Sequence, residues 1–137
     1  MYKLLVVDDE QLERQAVRFI IERNCPDVSI VGEAGDGLPA VHAAARVKPD
    51  IVLMDIQMPN MNGLDAVKRI QGILPQTKIM LLTAADEPRY RQQAAQLGVD
   101  EYILKPVRPD KLVHMLRCTL TQVEKATRMA SVHYTVG

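Results

Sequence analysis

The chain has 137 residues, 47% hydrophobic and 4% aromatic, and its 17 lysines and arginines balance 17 aspartates and glutamates for a formal net charge of zero. That length fits one domain with one short appended element, and the apolar content suffices for a packed core. Neutrality without a basic run argues against nucleic-acid binding by this segment; strand-length apolar runs exclude a membrane span, and the N-terminus lacks a signal-peptide pattern, so a cytoplasmic protein is expected.

The first apolar run, Lys3 to Val7, predicts a strand and ends in Asp8-Asp9. Leu12, Ala16, Phe19 and Ile20 then fall at i, i+4, i+7 and i+8, the spacing of one buried helical face. A second run, Val28 to Glu33, is interrupted by Ser29 and Gly32 and belongs nearer a sheet edge. Val41, Ala44 and Ala45 form a small apolar face after Gly35-Asp36-Gly37. The third run, Ile51 to Met54, ends in Asp55. Leu64, Val67, Ile70, Ile73 and Leu74 make another helical face, stopped by Pro75. The fourth run, Lys78 to Leu82, is followed by Thr83. Asp86-Glu87-Pro88 opens the next helix with an acid at the cap and proline in the first turn, and Gly98 closes it. The fifth run, Glu101 to Leu104, is followed by Lys105. The last helix starts near Pro109-Asp110 and carries Leu112, Met115, Leu116, Leu120 and Val123. Cys25 and Cys118 have no metal-type spacing and are expected to be isolated reduced thiols.

Strands alternating with helices imply an α/β fold, a doubly wound parallel sheet of five strands with helices on both faces. The first, third and fourth runs are almost continuously apolar, as strands covered on both faces must be. Right-handed crossovers put every strand C-terminus on one edge, where ligands bind such sheets. Asp8, Asp9, Asp55, Thr83 and Lys105 all follow strands and therefore converge there. Three carboxylates in one pocket raise one another's pKa, a conflict that a hard divalent cation such as magnesium relieves. A carboxylate is also a competent nucleophile toward phosphorus, giving an acyl phosphate, and a lysine can stabilise the charge that grows on phosphoryl oxygens. The Thr83 hydroxyl at the same edge is placed to hydrogen-bond a phosphoryl group.

These residues in their local sequence resemble the receiver domain of two-component response regulators. The resemblance is carried by Val6-Val7-Asp8-Asp9-Glu10, by Asp50 through Pro59 with Met61 and Gly63, by Leu82-Thr83-Ala84, and by Tyr102-Ile103-Leu104-Lys105-Pro106, and it runs from about Tyr2 to Leu120. It implies a flavodoxin-like (βα)5 fold with strand order 2-1-3-4-5. It implies Asp55 as the phosphorylation site, fed by a phosphohistidine on a sensor histidine kinase. It further implies magnesium on Asp8, Asp9, Asp55 and the backbone carbonyl of Gln57, Lys105 on the phosphoryl group, Thr83 as switch hydroxyl and Tyr102 as switch aromatic. Lys105-Pro106 would carry a cis peptide. The domain would catalyse only its own phosphorylation and dephosphorylation, so it is not expected to be an enzyme in the usual sense. Gln57 and Ala85 occupy positions that tune phosphoryl lifetime, and Gln11, Arg14, Gln15 and Arg18 of the first helix are candidates for kinase pairing.

A hydrogen bond from Thr83 to a charged group contributes about 1.5 to 3 kcal/mol, against about 5.5 kcal/mol to move a two-state balance from 1:99 to 99:1. Lys105 or a homodimer through the fourth helix, fifth strand and fifth helix must supply the rest. Tyr2 through Glu10, Arg14-Gln15-Ala16, Gly32-Glu33-Ala34 and Lys105-Pro106-Val107 resemble receivers that precede an AraC-type DNA-binding region. Residues 1–120 are then the receiver and 121–137 a helical extension or linker toward an output domain not in this chain, through which alone it would reach DNA and regulate transcription. The alternatives are a single-domain regulator or a non-phosphorylated receiver-like interaction module. An FMN-binding protein of the same architecture is disfavoured because Asp8-Asp9-Glu10 would repel a phosphate. An aspartyl phosphatase is disfavoured because Gln57 stands where its second aspartate belongs.

Overall fold

The computed structural model describes residues 1–136, the side chains of residues 130–136 excepted. Five strands, β1 (Tyr2–Val7), β2 (Val28–Ala34), β3 (Ile51–Met54), β4 (Lys78–Thr83) and β5 (Glu101–Leu104), alternate with five helices, α1 (Gln11–Asn24), α2 (Gly37–Val47), α3 (Gly63–Ile73), α4 (Pro88–Gln96) and α5 (Pro109–Val136). The strands form one parallel sheet in the order β2-β1-β3-β4-β5. The three nearly continuous apolar runs are the three central strands, and the interrupted run, β2, lies at an edge, as its polar residues require.

Period-two alternation divides each central strand between two cores. Leu5, Val7, Val52, Met54, Ile79 and Leu81 point to one face, where they pack with Ala40, Ala44, Val67 and Ile70 of α2 and α3. Leu4, Val6, Ile51, Leu53, Met80 and Leu82 point to the other, against Val17 and Ile21 of α1 and Leu112 and Leu116 of α5. Each fully buried aliphatic side chain contributes about 1.5 to 3 kcal/mol. Gly98, at φ +71°, takes the left-handed conformation expected of the residue that ends α4.

The face expected for α1 is corrected. Leu12 and Phe19 are 79% and 61% exposed, and Val17 and Ile21 are the buried pair. Two apolar phases coexist on this helix, and the Asp8–Glu10 turn delivers it to the sheet in the second. Phe19 is instead covered in part by the Arg23 guanidinium, 5.1 Å from its ring centre. On α2, Ala40, Ala43 and Ala44 are buried while Ala45 is exposed, and on α3 Ile73 is half-exposed. The α5 helix runs without a break past residue 120; what changes there is burial, which among the described side chains ends with Leu120 apart from a half-buried Val123. Gly137 and the side chains of the final turns lie outside the described residues.

Candidate functional site

Asp8 and Asp9 leave β1 and Asp55 leaves the adjacent β3, whose register pairs Val7 with Met54. The backbone fixes this junction further: Asp8 N–H donates to Ala34 O at 3.0 Å and Asp55 N–H to Val7 O at 3.0 Å. Asp8 and Asp55 are buried and Asp9 is exposed, and one carboxylate oxygen from each lies within 4.8 Å of the others. Asp8 Oδ1 accepts from Glu10 N–H at 2.9 Å, and Asp55 Oδ1 accepts from Gln57 N–H at 3.1 Å. These turns aim the second oxygens at Lys105, whose Nζ donates to Asp8 Oδ2 at 2.7 Å and to Asp55 Oδ2 at 2.8 Å.

The ammonium's third donor goes to Glu13 on the first turn of α1. Sequence reasoning missed Glu13. The available signal was its place one helical turn beyond Asp8-Asp9, with no spacing rule to link it to Lys105. Burial works against a charged lysine, but the carboxylates of Asp55, Asp8 and Glu13 outweigh it and push the Lys105 pKa well above its ordinary value. Burial likewise opposes ionisation of Asp8, yet bonds with Glu13, Lys105 and the Glu10 N–H hold its pKa below the ordinary value. Glu13 is pushed up, chiefly by its hydrogen bond with Asp8. All the side-chain donors to a cation here are carboxylate oxygens, and the acids outnumber the one lysine; this is a donor set for a hard divalent ion.

Gln57 lies in the loop between β3 and α3, and with Asp9, Met58 and Asn60 it lines an open cleft of about 470 Å³ beside the acids. Gly63 lets that loop close: a Cβ there would stand 2.4 Å from Asp55 O. A larger groove of about 780 Å³ lies at the opposite edge of the sheet, between Lys48, Thr77 and Val123, and holds none of the clustered acids.

Thr83 is fully buried at the end of β4, and its carbonyl accepts from Lys105 N–H at 2.8 Å. Its Oγ1 accepts from Ala85 N–H at 3.2 Å. Tyr102 is half-buried, donates its hydroxyl to Ala85 O, and has the Arg91 guanidinium 4.8 Å from its ring centre. Burial pushes the Tyr102 pKa up. The Lys105-Pro106 peptide is cis. Thus Asp8, Asp55 and Lys105 meet directly, Asp9 stands beside them in the acid cluster, Gln57 borders them, and Thr83 and Tyr102 form a connected pair one step away. No helix among the described residues is long and apolar enough to cross a membrane.

Residues 4–117 match the model of the response regulator receiver domain. The chain is 37% identical over 115 residues to the Bacillus subtilis transcriptional regulatory protein YxjL, covering 84% of this chain and 52% of that protein. It is 38% identical over 114 residues to the chemotaxis protein CheY of Thermotoga maritima, covering 83% of this chain and 93% of CheY. Among solved structures, a LuxR-family two-component response regulator from Aurantimonas superposes with a TM-score of 0.83 at 28% identity, covering 89% of this chain and 86% of the other. The chain spans about half the length of YxjL and of the other Bacillus regulators it matches at 37 to 38% identity.

Proposed function

Because this chain belongs to the response regulator receiver domain family, we propose that Asp55 is its phosphoacceptor, charged by the phosphohistidine of a sensor histidine kinase. The observation that carries this reading is the buried Asp55 carboxylate held 2.8 Å from the Lys105 ammonium within a cluster of acids. An Asp55 oxygen attacks phosphorus, the P–N bond of the phosphohistidine breaks, and the released imidazole nitrogen takes a proton from solvent. Asp8, Asp9, Asp55 and the Gln57 carbonyl would hold a magnesium ion, which when bound neutralises the acids and the phosphoryl oxygens. Lys105 passes one N–H from a carboxylate to a phosphoryl oxygen.

Thr83 gives up its bond with Ala85 N–H and donates to the phosphoryl group. A phosphoryl group adds close to two negative charges, so both donors gain charge-assisted bonds. Tyr102, tied to the same Ala85, moves with Thr83 and remodels the face made by α4, β5 and α5, through which a homodimer forms. The domain accelerates only its own phosphorylation and dephosphorylation, and acts in the cytoplasm.

Residues 1–120 form the receiver, and 121–137 serve as an extension, helical through Val136, toward a DNA-binding output region that makes the whole protein a transcription regulator. The residue pattern near the first strand and Lys105-Pro106 supports an AraC-type output. The LuxR-family likeness favours a different output domain, and the similarity along 93% of CheY favours a single-domain regulator. The reading frame after residue 137 decides among these.

The test is intact mass after incubation with magnesium and a small-molecule phosphodonor. A gain of one phosphoryl group, absent in Asp55→Asn and abolished by chelator, is expected. No gain in a chain that binds magnesium would move the reading to the non-phosphorylated interaction module.

A further inference from the structure

We propose that Asp36, in the turn between β2 and α2, is a positioning residue that straps the β3–α3 loop so that the Gln57 carbonyl is held ready for the divalent cation. This rests on the reading of Asp8, Asp9, Asp55 and Gln57 as the cation site. Asp36 caps α2, its Oδ1 accepting from Gly37 N–H at 2.7 Å. Capping needs one acceptor, and this carboxylate does more. Its Oδ1 also faces the Asn60 and Met61 N–H groups, each at 3.3 Å, and its Oδ2 accepts from Asn60 Nδ2 at 2.6 Å. Three donors of one loop, 24 and 25 residues away in the chain, thus converge on a single side chain.

That loop is pinned at its start by Gln57 N–H on Asp55 Oδ1 and at its end by Gly63 N–H on Ile56 O at 2.8 Å. Between those points, among the described residues, Asp36 supplies the hydrogen bonds that reach the loop from outside it. The fit is close: a Cβ on Gly37 would stand 2.5 Å from Met61 Cβ. The bonds from Asn60 and from the Gly37 N–H hold the Asp36 pKa below its ordinary value, so the strap is charged at neutral pH. Asp36 is outside the group of acids that converge on the site, so its contribution is to the loop and not to the ligand set. A loop released from Asp36 must be ordered at the moment the cation binds, which lowers affinity and leaves the bound geometry alone.

The experiment is calorimetric titration of the full chain with magnesium chloride, beside phosphorylation by a small phosphodonor across magnesium concentrations. Asp36→Ala is expected to weaken magnesium about three- to thirtyfold, with the phosphorylation rate at saturating magnesium unchanged. The double exchange D36N/N60D reverses donor and acceptor and restores the affinity; a purely structural loss would not be restored. Asn60→Ala keeps the α2 cap and still weakens magnesium, which covers the case in which Asp36→Ala does not fold. Wild-type affinity in Asp36→Ala or Asn60→Ala, or a lower rate at saturating magnesium, overturns the proposal. A wild-type chain that does not bind magnesium removes the cation site itself, an outcome distinct from loss in the variants alone.

Discussion

The Tyr102 hydroxyl donates to the carbonyl oxygen of Ala85 at 2.5 Å, while the Ala85 N–H donates to Thr83 Oγ1 at 3.2 Å. One buried residue therefore joins the hydroxyl at the end of β4 to the aromatic ring of β5, two side chains that are 19 positions apart in the sequence. The Ala85 methyl group can neither donate nor accept a hydrogen bond, so the connection is made entirely by its backbone. Release of Thr83 from the Ala85 N–H would therefore free one side of the residue whose carbonyl holds Tyr102.

Tyr102→Phe keeps the ring under Arg91 and removes only the hydroxyl. The Ala85 carbonyl then loses its partner, and the chain is expected to be about 0.5 to 1.5 kcal/mol less stable. Urea denaturation measures this; an unchanged midpoint would show that water replaces the hydroxyl at no cost and that the tie is weak.

Removing the lysine should expose the repulsion it masks. In Lys105→Met the buried carboxylates of Asp8 and Asp55 are left facing each other and Glu13, and breaking a buried pair in this way costs about 3 to 5 kcal/mol. Magnesium should recover much of that loss, because it replaces the missing positive charge. Denaturation with and without the ion tests both halves. A variant as stable as wild type in chelator would mean that the acids are already neutral.

Magnesium should also stabilise the wild-type chain. Saturation at about 100 times the dissociation constant is worth about 2.7 kcal/mol, and chelation removes it. Asp9→Ala takes away the exposed acid of the cluster, so its thermal midpoint should respond much less to the ion. An equal shift in both proteins would place the ion elsewhere.

Glu13 gives a pH signature with a definite sign. Its pKa is raised in the fold from the ordinary 4.5, so its ionisation carries a stability cost that is absent at acid pH and sets in as pH rises through and above that value. Glu13→Gln should therefore gain stability over wild type at pH 7 in chelator and show little difference near pH 4. Asp8 acts oppositely: its depressed pKa makes its contribution present above the ordinary 3.8 and lost as pH falls below it. A Glu13→Gln gain that is independent of pH would mean that packing, not charge, separates the two proteins.

The sheet was legible because its signals are local. Continuous apolar runs marked β1, β3 and β4 as central, Ser29 and Gly32 marked β2 as an edge, and the first, third, fourth and fifth runs were each followed by a residue grouped at the candidate site. In a parallel sheet those ends must share an edge, so Asp8, Asp9, Asp55 and Lys105 could be grouped before any coordinate was known. The α1 face was misread because Leu12–Phe19 and Val17–Ile21 obey the same period. Periodicity gives a helix its stripe, but only the direction in which the preceding turn enters the sheet selects which stripe is buried.

The amino-acid sequence by itself determined the order of elements, the parallel sheet and the carboxylates and lysine gathered at its edge, since alternation and strand-end chemistry are written residue by residue. The tertiary structure alone decided the contacts that depend on side-chain reach between separate elements: Glu13 as the third acid on Lys105, Asp36 across to Asn60 and Met61, and Ala85 between Thr83 and Tyr102. Such contacts follow no spacing rule. They exist because packing two helical layers onto one twisted sheet brings the loops at its edge within hydrogen-bonding distance of one another.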